Sequence, residues 1–464
     1  MTPSVYPRGT TIYYPDKCWS GFTLFQATLF QPGGAGAVLI DMNGNVVNQW
    51  KNLDGFPNKM LPGGSVMGST GARNARYGYQ DMLDLVEVDW EGRIVWKFER
   101  YERVKDPRQP PRWMARQHHD YQREGNPVGY YVPGMEPRSH RDGRTLLLCH
   151  KNLNDARISE KLLVDDTIIE VDEKGRITWE WVCSNHFEEL GFTKEAKNTL
   201  ARNPDLVLNG RAGDWMHINS MSTLCPNRWF DAGDKRFHPD NIIWSSRQAN
   251  IIAIIDRQTG KIVWQLGPYF NATEALRNMG QIIGQHHAHL ILHGLPGEGN
   301  ILVFDNGGHA GYGAPNPGAP TGLDYAIRDH SRVLEFNPDT LEITWQYPPK
   351  AAGGTGPMAS TFYSSFVSSA QRLPNGNTLI TEGLGGRLME VTPSHKIVWE
   401  YLSPYTQKKR PINLVYRAYR VPYAWVPQVE KPQETTVPRL DNNKFRVPGS
   451  TVKRPLKITK ISYR

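Results

Sequence analysis

The sequence predicts an all-β protein: a six-bladed β-propeller with helical insertions on one face and an extended C-terminal tail. Two observations lead to this prediction. The 464 residues include 43 glycines, 34 prolines and 14 tryptophans, a composition typical of many strands joined by turns. In addition, six segments share one pattern, in which a strand, a polar turn and a second strand ending at a tryptophan follow one another.

The six segments are predicted to be β-hairpins, because β-branched residues alternate on both sides of a turn of the Asp-x-x-Gly type or a polar substitute. They are VLIDMNGNVVNQW (to Trp50), LVEVDWEGRIVW (Trp96), IIEVDEKGRITW (Trp179), IIAIIDRQTGKIVW (Trp264), VLEFNPDTLEITW (Trp345) and LMEVTPSHKIVW (Trp399). Ahead of most of them lies a further strand with its own turn: GRTLLLCHKN, DNIIWSSRQ, GNILVFDNG and GNTLITEG. Each unit therefore supplies about four strands, the content of one propeller blade.

The spacing of the units predicts where the insertions lie. Successive closing tryptophans are 46, 83, 85, 81 and 54 residues apart, so three units are longer than a blade requires. The insertion SNHFEELGFTKEAKNTLARNP has a helical pattern. A second insertion, NATEALRNMGQ, begins with Asn271 and has Glu274 three residues later, which is typical of a capped helix start.

Three regions follow from this division: an N-terminal arm (1–20), the six-bladed propeller (21–404) and a basic, proline-rich tail (405–464). The tail holds seven lysines and seven arginines against three acidic residues, a net charge of +11 in a chain whose total is +8. The positive charge thus belongs to the tail and not to a nucleic-acid-binding face, and we expect no nucleic-acid partner. We expect the tail to lie extended over the body or over a partner subunit, which would give a homo-oligomer.

The chain shows no targeting signal. It has no apolar run long enough to span a membrane, and its N-terminus lacks the basic and apolar regions of a signal peptide. We therefore expect a cytoplasmic protein with no membrane partner. The four cysteines are far apart in the sequence and are expected to be free thiols.

Histidines are concentrated in the segments predicted to form the innermost strands of three blades. Such strands line one central channel. The segments are ARQHHDYQ with His118, His119 and Asp120, DWMHINSM with His217, Asn219 and Ser220, and GQHHAHLI with His286, His287 and His289. Since side chains alternate along a strand, His287 and His289 face one way and His286 the other. The other histidines considered lie in turns or outer segments and are expected to be structural: His140, His150, His186, His238, His293, His330 and His395.

Further polar groups recur near the same axis. Arg247 ends one predicted strand, and Asn306 and His309 lie in a Gly-rich turn after Asp305. A guanidinium beside amides and imidazoles suits an anionic group such as sulfate or phosphate. The alternative is that Arg247 forms a structural ion pair with Asp214 or Asp305.

Several stretches occur together in a characteristic order: HHD (118–120), DWMHINS (214–220), SSRQANIIAIIDRQTGKIVWQLG (245–267), QHHAHL (285–290), GNILVFDNG (299–307) and RLPNGNTLI (372–380). With the opening GTTIYYPDKCWSGFTLF (9–25), they resemble the bacterial arylsulfotransferase family over about residues 9 to 404. The resemblance implies a six-bladed propeller with a central site. It also implies sulfuryl transfer from a phenolic sulfate to another phenol, without a nucleotide donor, through a transiently sulfated histidine. No cofactor is required for that reaction.

Carried over residue by residue, the resemblance implies catalytic roles for His119, His217, His286 and Arg247. It also places Asn306 near that centre, and we expect Asn219, Asn306, His309 and Tyr363 to contact the substrate. Aromatic residues near the inferred channel mouth suit a small aromatic substrate: Trp113, Tyr121, Trp215, Phe362 and Tyr363.

The chain departs from the expected pattern in two respects. It starts its first blade near residue 20, whereas the best-known members carry an extra N-terminal β-domain. We also expect the family's nucleophilic histidine in the last blade, near residues 361–371, where this chain has Tyr363, Ser364, Ser365 and Ser368 instead. Either His286 or another imidazole replaces it, or the chemistry differs.

Two alternative functions stay open on the sequence alone. Neutral imidazoles converging in a channel are also typical of a metal site, so His119, His217, His286 and His287 could hold a divalent transition metal. That site would serve a metal-dependent hydrolase or lyase. The third hypothesis is a non-catalytic propeller scaffold.

Overall fold

The computed structural model describes residues 8–27, 34–73, 80–126, 128–204, 213–349, 362–406, 413–441 and 444. The strands are β1 (Gly9–Tyr13), β2 (Phe22–Gln26), β3 (Ala37–Ile40), β4 (Val46–Trp50), β5 (Asp54–Met60), β6 (Val66–Ser69), β7 (Leu85–Val88), β8 (Ile94–Phe98), β9 (Glu102–Val104), β10 (Arg112–Met114), β11 (Gln117–Arg123), β12 (Thr145–Asp155), β13 (Ser159–Val171), β14 (Ile177–Val182), β15 (Ile218–Thr223), β16 (Ile242–Ser246), β17 (Ile251–Ile255), β18 (Ile262–Leu266), β19 (His286–Leu290), β20 (Ile301–Asp305), β21 (Ala310–Tyr312), β22 (Leu323–Ala326), β23 (Arg332–Phe336), β24 (Ile343–Tyr347), β25 (Ser369–Arg372), β26 (Thr378–Glu382), β27 (Arg387–Val391), β28 (Ile397–Leu402) and β29 (Ala418–Val421). The α-helices are α1 (Lys194–Arg202), α2 (Arg228–Asp231) and α3 (Glu274–Met279).

Six antiparallel sheets form the blades of a propeller. Their strand orders, starting from the inner strand, are β29-β2-β3-β4, β5-β6-β7-β8, β11-β12-β13-β14, β15-β16-β17-β18, β19-β20-β23-β24 and β25-β26-β27-β28-β1. The hairpins β9-β10 and β21-β22 are additions between or within blades. Apolar side chains fill the spaces between neighbouring sheets, for example where Trp181 and Trp244 pack between blades three and four. The predicted all-β, six-bladed fold is confirmed.

Both chain ends join the ring, which changes the predicted boundaries. The inner strand of the first blade is β29, from the segment assigned to the tail, and β1 from the predicted arm is the outermost strand of the sixth blade. Strands from the two ends of the chain complete the first and sixth blades and so close the ring of sheets. Arg417 and Arg420 are therefore buried, so part of the charge attributed to the tail lies inside the propeller. Beyond β29, Val437 forms a β-bridge with Tyr13, which places this part of the tail on the body. Residues 442–443 and 445–464 of the predicted tail lie outside the described residues.

The repeated tryptophans link neighbouring blades. In each blade one indole N–H donates to a backbone carbonyl in the turn between the third and fourth strands of the next blade. The bonds are Trp50 to Asp89 (3.0 Å), Trp96 to Glu173 (3.3 Å), Trp181 to Gly260 (2.9 Å), Trp264 to Pro338 (2.9 Å), Trp345 to Pro393 (3.1 Å) and Trp399 to Met42 (2.8 Å). In the third blade this residue is Trp181 and not the predicted Trp179. The two positions lie on the same face of β14, two residues apart.

The helical insertions lie where the sequence predicts them. Thr193 caps α1, since its Oγ1 accepts the Ala196 N–H. Thr273, and not the predicted Asn271, caps α3 in the same way by accepting the Leu276 N–H. Within the described ranges, no helix has the length and apolar character needed to cross a membrane.

Candidate functional site

The inner strands of blades three to five are bulged at their histidines. The pairing of β11, β15 and β19 with the second strand shifts register at this point. His119, His217 and His287 have φ values of 53°, 50° and 56°, in the left-handed region that costs an L-residue about 1 to 2 kcal/mol. A bulge re-aims a side chain that strict alternation would send into a neighbouring blade. The same strained backbone in three blades is typical of a functional site.

Three imidazoles from three blades, His119, His217 and His286, lie together where the inner strands begin. The rings of His119 and His217 are 4.4 Å apart between centroids and meet edge to face. Burial lowers the pKa of His119 well below 6.5, and the charges of His217, His118 and His286 would lower it further. All three side chains use Nδ1 for a contact with another protein group, and no described protein group bonds Nε2. The Nε2 atoms are therefore the ones available to a ligand.

His217 forms a histidine–aspartate pair. Its Nδ1 lies 2.7 Å from Oδ2 of Asp214, three residues earlier in the chain. Burial alone would raise the pKa of Asp214, but the nearby His217 and its hydrogen bond bring this pKa below the ordinary value. The carboxylate thus holds the proton on Nδ1 and stabilises an imidazolium at His217, which suits a general acid–base.

His286 is oriented by an amide. Its Nδ1 lies 2.8 Å from Oδ1 of Asn306. The amide nitrogen of Asn306 donates to the carbonyls of Ser364 (2.7 Å) and Val367 (2.8 Å), so Oδ1 must be the atom that faces His286. His286 therefore donates from Nδ1 and carries a lone pair at Nε2. Burial lowers its pKa well below 6.5, and the charge of Arg247 acts in the same direction.

Behind His119 lies a row of buried polar groups. Its Nδ1 lies 2.8 Å from Nδ1 of His118, and Nε2 of His118 lies 3.1 Å from Oδ1 of Asp166. The ring of His150 stacks on that of His118 at 3.6 Å between centroids, with an angle of 18° between the planes. His150 was expected to be an outer structural residue, but it is buried directly behind the channel imidazoles. That expectation is wrong because His150 lies within β12, the second strand of its blade, and not in an outer strand.

Arg247 lies beside two of the imidazoles. Its backbone N–H donates to the His217 carbonyl at 3.1 Å, and its guanidinium donates to Gln248 Oε1 at 3.1 Å. The two proposed acidic partners are engaged elsewhere: Asp214 with His217, and Asp305 with Arg328 and Arg332 at 2.9 and 2.7 Å. The guanidinium charge is thus placed at the imidazole group, where it lowers the pKa of His286.

A fully buried charged layer lies one to three residues further along the inner strands. Asp120 accepts from Lys59 (2.7 Å) and from Arg417 (2.9 Å), so two cations share one carboxylate. His287 packs against His289 in this layer, 4.4 Å between ring centroids, which confirms that it points away from His286. With Lys59 protonated, the layer carries one excess positive charge; burial lowers the pKa of Lys59, and the charge of Asp120 acts in the opposite direction.

The remaining predicted substrate contacts lie elsewhere. His309 is exposed in the turn before β21, and Tyr363 is half-buried with its backbone N–H bonded to Glu382. Asn219 is buried, and its amide joins two inner strands by donating to the Gln285 carbonyl at 2.7 Å. Of the aromatic residues expected at the mouth, three are buried in the packing of the blades: Tyr121, Trp215 and Phe362.

The four histidines predicted to bind a metal do not converge on one point. Among the described residues, the group with ligand atoms within 4.8 Å of one another is His118, His150 and Asp166. His118 and His150 are stacked, however, and two parallel rings 3.6 Å apart cannot both direct an in-plane lone pair at one ion about 2 Å away. The geometry of His118, His150 and Asp166 suits groups that exchange protons and not a metal site.

His150 and Asp166 were not predicted from the sequence to contribute to the site, and His118 was noted in its inner strand without an assigned role. The repeated second strands contained a signal. When GRTLLLCHKN, DNIIWSSRQ and GNILVFDNG are superposed on their strands, His150, Arg247 and Asn306 occupy the same position, the sixth from the start of the second strand of each blade. Each contacts the inner-strand histidine segment of its own blade. Asp166 lies in a third strand, and no motif marked it.

Comparisons with known proteins identify the family. The family model described as Arylsulfotransferase (ASST) matches residues 138–417. No curated protein matches the chain. Among solved structures, a protein of unknown function from Bacteroides caccae shares 11% identity and covers 87% of this chain and 99% of its own, with a TM-score of 0.43. A streptogramin B lyase shares 12% identity, with coverage of 88% and 91% and a TM-score of 0.36. The matched span exceeds half of the chain and includes His217, Arg247 and His286, and the chain belongs to the arylsulfotransferase family.

Proposed function

We propose that this protein transfers a sulfuryl group from an aryl sulfate to a phenolic acceptor, with Nε2 of His286 as the nucleophile. The observation that carries the proposal is the fixed tautomer of His286. Asn306 is itself held by two carbonyls, and it leaves the imidazole neutral with its lone pair on the atom that no described protein group occupies. A neutral imidazole with an exposed lone pair is a competent nucleophile toward sulfur.

The last-blade segment contributes to this nucleophile indirectly. It has no histidine, and we propose that the nucleophile belongs to the fifth blade. The carbonyls of Ser364 and Val367 are the groups that orient Asn306. The hydroxyls of Ser364 and Ser368 are bonded to each other at 2.9 Å and accept backbone N–H groups of the same blade, so the segment is rigid.

The other groups have complementary roles in the proposed reaction. The Arg247 guanidinium would offset the charge that develops on the sulfuryl oxygens as the S–O bond to the leaving phenol breaks. His217, supported by Asp214, would deliver or accept the proton of a phenolic oxygen, and His119 would act on the same group from the neighbouring blade. The excess charge of Lys59 and Arg417 over Asp120 supports an anionic substrate class.

Mass spectrometry of the trapped intermediate tests the proposal. We expect incubation with 4-nitrophenyl sulfate, without acceptor, to add the mass of one SO3 group to the peptide that contains His286. The His286→Gln variant should show neither adduct nor transfer to phenol. The matched control is His289→Gln on the same strand, whose Nε2 contacts the Tyr130 hydroxyl at 2.8 Å and faces away from the channel group. An adduct on any other residue, or full transfer activity in His286→Gln, would refute the assignment.

A further inference from the structure

A line of buried groups leads from His119 away from the channel. His118 and Asp166 are both 0% exposed in their side chains. Nε2 of His118 and Oδ1 of Asp166 lie 3.1 Å apart, and neither has a well-aligned hydrogen bond to any described protein group. The other carboxylate oxygen, Oδ2, accepts the backbone N–H of Ile218 at 3.0 Å. Each of these two atoms therefore lies 3.1 Å from the other without a hydrogen-bond partner of its own, and the Cys149 backbone is a further polar group beside the His118 ring.

This geometry allows two arrangements of one proton. When Asp166 is ionised, Nε2 of His118 must carry the proton that faces it. Nδ1 of His118 then accepts from Nδ1 of His119, which leaves a lone pair on Nε2 of His119. When Asp166 is protonated, its O–H faces the lone pair of His118, every donor along the line reverses, and Nε2 of His119 carries a proton. The 2.8 Å contact between the two Nδ1 atoms fits either arrangement, because one of them must donate and the other accept.

We propose that Asp166 and His118 form a proton relay to His119, so that the state of the buried carboxyl decides whether His119 presents an acid or a base to the channel. Both are positioning residues that act through His119, and the catalytic part of this inference rests on the proposed sulfuryl transfer. Burial, followed by the charge of Asp214, raises the pKa of Asp166 to about 7 and so makes both states accessible near neutral pH. The ionisable groups around the carboxyl are His118, His150, Asp165, Asp214 and His217, and Asp81 lies beyond His150.

The proton balance of the two half-reactions closes through this line. When the S–O bond of the donor breaks, the leaving phenolate takes the Nε2 proton of His119. Nδ1 of His119 then takes the proton of His118 Nδ1, and Nε2 of His118 takes the proton of Asp166, which becomes a carboxylate. In the second half-reaction the acceptor phenol attacks sulfur, and its proton returns along the same three steps. Each proton that passes through His119 is thus accounted for by this line.

The stacked ring of His150 fixes the orientation of the His118 ring in the relay. It covers one face of His118 and lies 3.6 Å from Asp81 and 4.0 Å from Asp166, so His118 cannot rotate without losing that contact. Burial lowers the pKa of His150 as well, so two stacked neutral rings are expected and not a charged pair.

The decisive variant is Asp166→Asn. Its amide oxygen should take the Ile218 N–H, so its NH2 group must face Nε2 of His118 and imitate the protonated carboxyl permanently. The matched control is Asp165→Asn on the same strand. Asp165 is equally buried, and burial also raises its pKa to about 7, but it accepts from Trp215 and Ser184 and does not contact His118.

Nitrogen-15 NMR of histidine-labelled protein reads the tautomer directly, with His119 assigned by subtraction of a His119→Gln spectrum. In the wild type we expect the Nε2 signal of His119 to move from the N–H range to the lone-pair range as the pH rises from 6 to 8.5. In Asp166→Asn it should stay in the N–H range, and in Asp165→Asn it should move as in the wild type. A wild-type signal that does not move, or an Asp166→Asn signal that moves normally, overturns the relay. If the Asp166→Asn variant does not fold, the pH dependence of the wild-type signal alone tests the relay.

Activity separates this inference from the proposed function. We expect kcat for 4-nitrophenyl sulfate and phenol to fall at least a hundredfold in Asp166→Asn with KM little changed, and to stay near wild type in Asp165→Asn. If the tautomer switches as expected but no variant transfers sulfuryl groups, the relay stands and the proposed function fails. If Asp166→Asn transfers at the full rate, the relay has no catalytic role.

Discussion

Acidification is expected to unfold this protein steeply, because it buries six imidazoles in the neutral form. Burial is the largest cause of the lowered pKa in each, and the residues are His118, His119, His150, His286, His287 and His289. In the unfolded chain each binds a proton below its ordinary pKa of 6.5. Their contribution to stability is therefore complete above pH 6.5 and is lost as the pH falls.

Buried carboxyls offset part of this loss. Burial raises the pKa of Asp165 and Asp166 to about 7 and that of Asp54 to about 6, so the folded protein holds three protons at pH 5 that the unfolded chain does not. Glu390, whose pKa burial also raises, acts in the same direction. Unfolding near pH 5 should thus take up between about two and three protons. At about 1.4 kcal/mol per proton and pH unit, stability falls by roughly 3 to 4 kcal/mol per pH unit.

Calorimetric unfolding between pH 5 and 8 measures this slope. A typical stability of about 5 to 15 kcal/mol would be exhausted within a few pH units below 6.5. The His289→Gln variant should lose about one proton from the uptake, whereas His293→Gln, at an exposed side chain, should leave it unchanged. A transition temperature that stays constant or rises from pH 7 to pH 5 would show that the six imidazoles are not neutral in the folded protein.

Three further changes have defined expected outcomes. Trp399→Phe removes the indole bond between the sixth and first blades and should lower the unfolding free energy by about 1 kcal/mol, whereas Trp113→Phe at an exposed site should have no effect in urea titration. Gly308→Ala would place Cβ 1.9 Å from a backbone carbonyl of the sixth blade and should abolish soluble expression, while Gly318→Ala, with its nearest atom at 3.4 Å, should express normally. Asn306→Ala leaves the Val367 carbonyl without its donor, the Ser364 carbonyl with only the 3.3 Å bond from Ser331, and Nδ1 of His286 with only the Gly284 carbonyl at 3.1 Å. It should cost about 1 to 3 kcal/mol together with most of the proposed transferase activity; an active, fully stable variant would contradict the orienting role.

The sequence allowed the ring of blades to be predicted but not its closure. The hairpins repeat a local pattern of alternation and turn, and such patterns are readable without tertiary structure. The closing strand β29 has no such pattern: it is four residues long and contains Arg420, which is buried against Glu390 at 3.2 Å. From the sequence alone, an arginine is expected at the surface. Its burial on an inner strand can be predicted only once its partner, 30 positions away, is known.

The candidate site was predictable where it depends on strand order and not where it depends on cross-strand contacts. His119, His217 and His286 were expected because inner strands must share one channel, and Arg247 because it ends a predicted strand within a stretch that resembles the family. The bulges at His119 and His217 could not be read from the sequence, since each depends on the register of a neighbouring strand. For the same reason, the alternation of side chains along a strand did not predict the contact between the Nδ1 atoms of His118 and His119.

The three channel imidazoles differ mainly in what their Nδ1 atoms contact. In the proposed reaction this difference gives each imidazole a separate role. The partner of His286 is a neutral amide, which fixes the tautomer without stabilising a positive charge, as a nucleophile that must stay unprotonated requires. The partner of His217 is a carboxylate, which favours the imidazolium that forms during general acid–base catalysis. The partner of His119 is another imidazole, which can donate or accept, so that His119 alone can reverse its role between the two half-reactions. Exchanging these partners should therefore exchange functions: Asn306→Asp would turn His286 into a stronger base that is protonated when an anionic substrate arrives, and should slow formation of the sulfated intermediate more than its breakdown.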